Sequence, residues 1–372
     1  METTIKMSTF ATVKRMTMIC FDSDYMEGAH PRILDRLAES NFEQTTGYGT
    51  DAHTENAKRL IRKACGCPDA EVFFLVGGTQ TNATVIDGLL RHWQGVLAAP
   101  TAHINVHEAG AIEAGGHKVI TIEPDPEDCS KLTAEGIAAT IKTFSDDPTC
   151  EHMVAPGMVY ISHPTEYGSL YTLGELEAIS AVCRDAGIPL FMDGARLGYA
   201  LASPANDAGL KDIARLCDIF YIGGTKVGAL FGEAVVMPQP GLIPHFTTLI
   251  KRHGGLLAKG RLLGIQFEVL FSDDDGKPLY VRTAENAINT AARLKEIFLG
   301  HGIELYMDSP TNQQFFLLPN DVIKRLMEAG VSFEQWGPLR ESVSPVRFVT
   351  SWATPPESVE RLNEILDDAV KI

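Results

Sequence analysis

Seven apolar runs separated by helical patterns constrain the fold of this chain more than any other feature. Amphipathic stretches separate most of the runs, among them residues 83–92, 134–144 and 173–186. Strands that alternate with helices form parallel sheets joined by crossover helices, so the pattern predicts a large α/β domain. The seven predicted strands are residues 72–76, 96–99, 118–122, 158–162, 189–193, 218–222 and 233–237.

The connection between the last two runs differs from the others. Only ten residues lie between Ile222 and Glu233, and four of them are glycine. A crossover between parallel strands needs about a dozen residues or more. We therefore predict a mostly parallel seven-stranded sheet in which the seventh strand is antiparallel to the sixth. Lys226 lies in this short connection.

The pattern changes near residue 250, which suggests two domains. We predict a large domain over residues 19–250, then a long helical connection and a small C-terminal α+β domain over residues 251–372. Residues 1–18 are expected to be a disordered leader, with an organelle-targeting peptide as the open alternative. After residue 250 the predicted helices are residues 256–271, 284–299, 319–329 and 356–370, and the predicted strands are residues 303–306, 313–318 and 346–351.

Charge and cysteine content exclude several function classes. The net charge of −16 disfavours nucleic acid and anionic membrane surfaces as partners, since both are themselves negative. No apolar run approaches the roughly 20 residues needed to span a bilayer. Seven cysteines, an odd number in a long chain, favour a reducing compartment. We expect a cytoplasmic protein with no nucleic-acid and no membrane partner.

Lys226 is the first residue that suggests chemistry. Its connection joins two apolar runs, and an apolar setting disfavours the charged ammonium and lowers its pKa. Such an amine is nucleophilic and can form a Schiff base with a carbonyl compound. An ordinary surface lysine in a turn explains the residue equally well, so the interpretation depends on the rest of the chain.

A glycine turn follows the first predicted strand. Gly77, Gly78 and Thr79 lead directly into a helical pattern, and a helix N-terminus offers free N–H groups and a positive dipole to a phosphate or carboxylate. The segment matches neither of the common nucleotide-binding glycine motifs. A tight turn without a ligand remains the structural alternative.

Two histidines and an acid follow the second predicted strand. His103 and His107 are four residues apart and Glu108 comes next, but no third metal ligand is evident, so no metal site is predicted. An imidazole packed beside a ring-shaped cofactor is the better functional interpretation. A histidine satisfied by local hydrogen bonds is the alternative.

Asp193 follows four apolar positions at the end of the fifth predicted strand. A carboxylate there is buried or nearly so, and a buried charge needs a partner. That partner could be Arg196, in an ordinary salt bridge, or the protonated ring nitrogen of a cofactor.

Together these features meet the requirements of one cofactor. Pyridoxal 5'-phosphate needs an anchor for its phosphate, a side chain against its ring, an acid opposite its pyridine nitrogen and an amine for the Schiff base. The Gly77–Gly78–Thr79 turn, His103, Asp193 and Lys226 supply these in chain order. Each feature is weak alone, and the ordered set of four is strong.

The chain resembles the threonine aldolase and β-eliminating lyase family of fold-type I pyridoxal phosphate-dependent enzymes. The resemblance extends from about Asp22 to Trp352. It implies a transferase-like fold of this type and an assembly, a homodimer or homotetramer, with sites at subunit boundaries. The matching segments, in order, are Ser23–Asp24, Tyr48–Gly49 with Asp51, Gly78–Thr79 with Asn82, His103 with Glu108–Ala109–Gly110, Asp193–Gly194–Ala195–Arg196, Lys226, and Val346–Arg347–Phe348–Val349–Thr350.

The resemblance assigns roles to single residues. It implies that Lys226 forms the Schiff base, that Asp193 pairs with the pyridinium nitrogen and that His103 stacks on the ring. It also implies that the turn from Gly77 through Gly78 to Thr79 binds the phosphate.

A second set of roles concerns the substrate and the neighbouring subunit. Arg196, which also belongs to the cofactor set, is implied with Arg347 and Ser23 to hold the substrate carboxylate, because a guanidinium matches two carboxylate oxygens. Tyr48 and a basic segment are candidates to reach a neighbouring subunit's site. That segment comprises Lys251, Arg252, Lys259 and Arg261.

Two departures weaken the transfer of the reaction. Thr225 stands where the family usually has serine before the lysine. Aldolases of the family typically have an Asn-Thr-His-Asn segment after the fourth strand, whereas residues 162–166 here read Ser-His-Pro-Thr-Glu, with the histidine displaced. The cofactor site therefore transfers better than the reaction.

The sequence predicts a lyase that acts on a small amino acid. We expect cleavage of a threonine-like β-hydroxy-α-amino acid to glycine and an aldehyde, with His103 favoured over His107 and His163 as the base for the β-hydroxyl proton. β-Elimination, transamination and racemisation use the same cofactor and remain alternatives. A non-catalytic binding protein on the same fold is a further alternative.

Overall fold

The structure is a computed structural model that describes residues 18–125, 127–128 and 130–370. The predicted leader lies outside these residues except for Met18. The strands are β1 (Ile19–Phe21), β2 (Glu71–Leu75), β3 (Gln94–Ala98), β4 (Lys118–Thr121), β5 (Ala155–Ser162), β6 (Leu190–Asp193), β7 (Ile219–Gly223), β8 (Glu233–Met237), β9 (Asp273–Asp274), β10 (Lys277–Pro278), β11 (Glu304–Met307), β12 (Gln313–Pro319), β13 (Val331–Gln335) and β14 (Val343–Val349).

Helices occupy most of the connections. They are α1 (Pro31–Glu39), α2 (Ala52–Cys65), α3 (Gly78–Leu89), α4 (His103–Val106), α5 (Ala111–Ala114), α6 (Ala134–Asp146), α7 (Leu173–Ala186), α8 (Leu197–Ala202), α9 (Leu210–Leu216), α10 (Phe246–Arg252), α11 (Arg261–Leu270), α12 (Leu279–Gly300), α13 (Asn320–Glu328) and α14 (Pro356–Val370). A single 3₁₀ turn, Cys150–His152, precedes β5.

The large sheet has seven strands in the order β2-β8-β7-β6-β5-β3-β4. β8 runs antiparallel to both of its neighbours, β2 and β7, and the remaining pairs are parallel. This confirms the predicted mostly parallel sheet and the antiparallel seventh strand. The inner strands β6, β7 and β8 are buried at every position, as expected for apolar strands covered on both faces.

A smaller sheet follows the order β1-β13-β14-β12-β11. It packs with α12 and α14 around a second apolar core that includes Phe298, Phe316 and Phe348. β1 pairs in parallel with β13, so residues just after Met18 belong to a sheet otherwise formed by the C-terminal part of the chain. The domain boundary at residue 250 stays a prediction.

The region after β8 differs from the sequence expectation. One helix was expected over residues 256–271, but a shorter helix, α10, precedes that range and α11 begins only at Arg261. A Cβ on Gly260 would come within 2.4 Å of the backbone nitrogen of Gly49, so the chain approaches another loop too closely here for a helical side chain. In the described part of the chain, no helix is both long and apolar enough to cross a membrane.

Candidate active site

Lys226 lies in the connection between β7 and β8 and lines a cavity of about 270 Å³. The loop is closed on itself, because the backbone N–H groups of Gly224 and Thr225 both donate to the carbonyl of Gly232. The Tyr199 hydroxyl donates to the Lys226 carbonyl at 2.5 Å. Burial, followed by the charge of Arg196, lowers the pKa of Lys226 to about 8. The amine is therefore partly neutral near neutral pH, as a nucleophile must be.

Asp193, the last residue of β6, is 5% exposed and lines the same cavity. Oδ1 accepts from the Tyr221 hydroxyl at 2.5 Å and from the Ala195 N–H at 2.9 Å. Oδ2 accepts from the Tyr160 hydroxyl at 2.5 Å and from Asn82 Nδ2 at 3.0 Å. Four donors therefore fix the orientation of the carboxylate. The salt bridge with Arg196 considered from the sequence is not formed.

Asn82 connects Asp193 to His103 through Glu108. Asn82 Nδ2 also donates to Glu108 Oε1 at 2.7 Å, and His103 Nδ1 lies 2.8 Å from the same oxygen. Because a carboxylate only accepts, this contact places the proton of a neutral His103 on Nδ1. Glu108 Oε2 is buried without a hydrogen-bond partner. The imidazole is thus oriented by a buried acid.

The predicted phosphate turn forms another wall of the cavity, where Gly77, Gly78 and Thr79 precede and begin α3. A Cβ on Gly77 would meet no atom within 4 Å, whereas one on Gly78 would lie 3.3 Å from the Tyr221 hydroxyl. The α3 N-terminus therefore offers free N–H groups beside an open, uncrowded turn.

Glu233, the first residue of β8, lines the cavity and was not predicted as a site residue. Oε1 accepts from Thr225 Oγ1 at 2.7 Å and Oε2 accepts from the Gly224 N–H at 3.1 Å. Burial raises the pKa of Glu233 to about 8, although the Thr225 bond and the charge of Lys226 act in the opposite direction. A protonated carboxyl at this position can donate a hydrogen bond.

Arg196 lines the cavity and is held by Asp24. Its Nε and Nη2 donate to the two oxygens of Asp24 at 2.7 and 3.1 Å. Burial alone would raise the pKa of Asp24, but Arg196 and Lys226 hold it below its ordinary value. Ser23, the neighbouring residue, is half-buried and is not among the described residues that line the cavity.

Arg347 approaches from β14 of the smaller sheet. Its Nη1 donates to Gln313 Oε1 at 2.7 Å, Nη2 donates to Glu334, and the guanidinium lies 4.7 Å from the centroid of the Trp336 ring. Its Nε is buried without a partner. Burial and the charge of Arg196 lower the pKa of Arg347.

The remaining predicted residues lie in three different places. His163 is fully buried, accepts from the Tyr171 N–H at 3.3 Å and lies outside the cavity. Burial lowers its pKa to about 4. His107 lines a second cavity. Tyr48 is 52% exposed, and Lys251 Nζ lies 5.0 Å from its ring centroid.

The basic segment makes contacts within its own chain or faces solvent. Arg252 pairs with Asp87, Arg261 donates to the carbonyls of Asn41 and Glu43, and Lys259 is exposed.

The groups that line the cavity fit pyridoxal phosphate. It combines a buried amine with a lowered pKa, a carboxylate held by four donors, an oriented imidazole and an open helix N-terminus. Among the described residues no group of three or more histidine, cysteine or acidic side chains could hold a metal ion.

Comparison with known proteins defines the class. The family profile described as β-eliminating lyase matches residues 21–316. A low specificity L-threonine aldolase from Pseudomonas aeruginosa is 30% identical over 355 residues, which cover 94% of this chain and 96% of the relative. The chain therefore belongs to the β-eliminating lyase family.

Solved structures agree with this assignment. A threonine aldolase from Leishmania major is 45% identical and superposes with a TM-score of 0.89, covering 95% of this chain and 99% of that one. An aspartate aminotransferase from Thermus thermophilus, 15% identical with a TM-score of 0.70, covers 95% of this chain and 91% of its own and shares the fold. The fold is that of the fold-type I pyridoxal phosphate-dependent enzymes, as predicted.

Proposed function

We propose that the protein is a pyridoxal phosphate-dependent lyase that cleaves a threonine-like β-hydroxy-α-amino acid to glycine and an aldehyde. The observation that carries this proposal is that Lys226, Asp193 and the turn at Gly77 and Gly78 line one cavity. The threonine aldolases from Pseudomonas aeruginosa and Leishmania major support the choice of reaction.

The positions of four groups in the cavity support a role for each of them toward the cofactor. Lys226 would bond to the cofactor's aldehyde carbon, and Asp193 would hold the proton of its pyridine nitrogen. The α3 N-terminus, from Gly78, would bind the phosphate, and His103 would pack against the ring. When bound, the cofactor supplies an electron sink for the pair released as Cα–Cβ breaks.

The groups expected to bind the substrate are mainly positively charged. Arg196 and Arg347 would hold the α-carboxylate between the two sheets, and Ser23 remains a predicted contact. Each arginine already pairs with an acid of this chain, Asp24 or Glu334. Glu334 is the more exposed acid, with 44% of its side chain accessible, whereas Asp24 is fully buried. We expect the substrate carboxylate to replace Glu334 and to leave Asp24 in place.

Assembly and location stay predictions. We expect a homodimer or homotetramer in the cytoplasm, with Tyr48 and the basic segment from Lys251 to Arg261 facing a neighbouring subunit. Size-exclusion chromatography with light scattering would test the assembly.

Two measurements test the function. Protein loaded with pyridoxal phosphate should be yellow, and borohydride should bleach the colour and leave the pyridoxyl group on Lys226, as located by peptide mass spectrometry. Aldehyde and glycine should form from threonine, allo-threonine or phenylserine. Colourless protein would contradict the cofactor assignment, and pyruvate with ammonia as products would show elimination instead.

A further inference from the structure

Glu166 lies where two cavities meet. It lines the cavity that contains Lys226, and it also lines a second cavity of about 530 Å³. The second cavity has aromatic walls that include Tyr167, Tyr306 and Trp336. A substrate with its α-carbon in the first cavity and its β-substituent in the second would therefore place its β-carbon beside Glu166.

Other residues donate hydrogen bonds to one of the two oxygens of the Glu166 carboxyl group. Oε1 accepts from Ser162 Oγ at 2.7 Å and from the backbone N–H of His103 at 2.8 Å. No side chain among the described residues donates to Oε2, and the backbone N–H of Glu166 itself also bonds to the carboxyl group. Two hydrogen bonds on one oxygen fix the direction of the group and leave the second oxygen available to a substrate.

Burial raises the pKa of Glu166 above its ordinary value, and the negative charge of Asp193 acts in the same direction. The bonds from Ser162 and His103 oppose this shift. A raised pKa makes the carboxylate of Glu166 more basic and therefore a better proton acceptor.

The histidines are less suited to the same task. His163 is sealed from both cavities and bonded to the Tyr171 N–H. The Nδ1 of His103 is bonded to Glu108, and its ring face is needed against the cofactor. His107 lines the second cavity, so it is the competing candidate.

We propose that Glu166 is the catalytic residue that accepts the β-hydroxyl proton. The proton moves to Glu166 Oε2, the O–H electron pair becomes the second bond of the aldehyde C=O, and the Cα–Cβ pair remains on Cα. A proton then returns to Cα and gives glycine, so atoms and electrons balance. This role rests on the proposed function.

The enzyme's activity should depend on pH, because only the ionised form of Glu166 can accept the proton. Activity should fall as pH decreases through the pKa of Glu166. The titratable groups that act on Glu166 electrostatically include Asp193, Tyr160 and Tyr171. Further charged or titratable groups line the two cavities beside it: His103, Glu108, Arg196, Lys226 and Glu233 in the first, and His107, Glu334 and Arg340 in the second.

The test is the variant Glu166→Gln. Glutamine keeps an oxygen that accepts from Ser162 and His103, so the fold should survive, but it cannot take the proton. We expect kcat/KM for threonine to fall about 10²- to 10⁴-fold, the usual contribution of a positioned base. The exchange of a glycine α-proton with deuterated solvent should persist, because it involves no β-hydroxyl. Glu151→Gln, in the exposed 3₁₀ turn that precedes β5, is the matched control and should behave as wild type.

A readout that is independent of turnover accompanies the kinetics. With ¹³C-labelled glutamate, the infrared C=O band of a protonated carboxyl should titrate in wild-type protein at the midpoint of the acid limb of kcat/KM. Both the band and the limb should be absent from Glu166→Gln. His107→Gln should keep the limb.

The outcomes separate the two proposals. Wild-type protein that releases no aldehyde refutes the proposed function and this role with it. If wild-type protein cleaves threonine but Glu166→Gln cleaves it at an equal rate, the role of Glu166 alone is refuted. An unchanged acid limb in Glu166→Gln would refute that role as well. Loss of the acid limb in His107→Gln would assign the step to that histidine instead.

Discussion

At the scale of single residues, the site holds two buried acids in different surroundings. Asp193 accepts from four donors, whereas burial raises the pKa of Glu233 to about 8. Both line the same cavity as Lys226. The surroundings, rather than the residue type, therefore decide what each acid can do in the site.

Asp193→Asn should leave the fold intact and lower kcat at least about a hundredfold, because the negative charge opposite the pyridine nitrogen is lost. Steady-state kinetics on the yellow, cofactor-loaded variant would measure this. Asp185→Asn, on the exposed face of α7, is the control. A decrease of only a few-fold would contradict the role of Asp193.

The raised pKa of Glu233 predicts that the affinity for a phosphate ligand depends on pH. Its pKa of about 8 means that it is neutral below that pH and anionic above it. An anion here would repel a phosphate dianion, so affinity for pyridoxamine 5'-phosphate should fall above pH 8, by up to about tenfold per pH unit. This ligand lacks the aldehyde and does not react with Lys226.

The control for that experiment is Glu233→Gln, which mimics the protonated acid. Lys226 also loses its charge near this pH, and the charge of Glu233 raises the pKa of Lys226, so the difference between the two binding curves reports Glu233 together with its effect on Lys226. Parallel curves would show that Glu233 does not contact the phosphate.

At the scale of elements, α12 braces the strand that leads to Lys226. The Tyr280 hydroxyl donates to the Gly223 carbonyl at the end of β7 and accepts from the Gly198 N–H of α8, both at 2.9 Å. Tyr280 is fully buried. One side chain thus connects α12, α8 and β7.

Tyr280→Phe should lower the free energy of unfolding by about 1–3 kcal/mol, because the Gly198 N–H and the Gly223 carbonyl would be buried without partners. Chemical denaturation of the cofactor-free proteins would measure the change. Tyr306→Phe, at a half-buried position, should change it much less. An unchanged midpoint for Tyr280→Phe would contradict the bracing role.

Elements with strong local signals were predictable from sequence, and elements defined by distant contacts were not. The seven strands of the large sheet and the reversed direction of β8 follow from apolar runs and one short connection. β1 has only three residues and β13 is only partly apolar, and they become strands because they pair with each other. Likewise Gly260, just before α11, packs against the distant Gly49, a contact that the local sequence does not show.

The same reasoning applies to the site. Lys226, Asp193 and the Gly77–Gly78 turn carry local signals, since each interrupts or ends an apolar run. Glu166 and Glu233 look like ordinary polar residues in sequence, and only the folded structure shows that both line the cavity. A carboxylate just before or after an apolar run was the available signal for Glu233.

At the scale of the whole molecule, the candidate carboxylate site is divided between the two sheets. Arg196 follows β6 of the large sheet and Arg347 lies in β14 of the small sheet. Two cations close together repel, and each is offset by an acid of this chain.

Glu334→Gln should lower KM for threonine about two- to fivefold, because the substrate carboxylate would no longer compete with a partly exposed ion pair. kcat should change little. Initial-rate measurements against Glu341→Gln, which alters an exposed acid of the same region, would test this. A higher KM would mean that Glu334 positions Arg347 for the substrate rather than competing with it.

The pairing of β1 with β13 has a consequence for how the protein is made. Phe21 and Asp24 leave the ribosome early, but their partners come late: Asp24 accepts from Asn312, which lies 288 residues further along the chain. Contacts of such separation close large loops and form slowly. The large sheet can assemble during synthesis, whereas Asp24, which holds Arg196 in the wall of the cavity, gains this contact only after Asn312 has been synthesised.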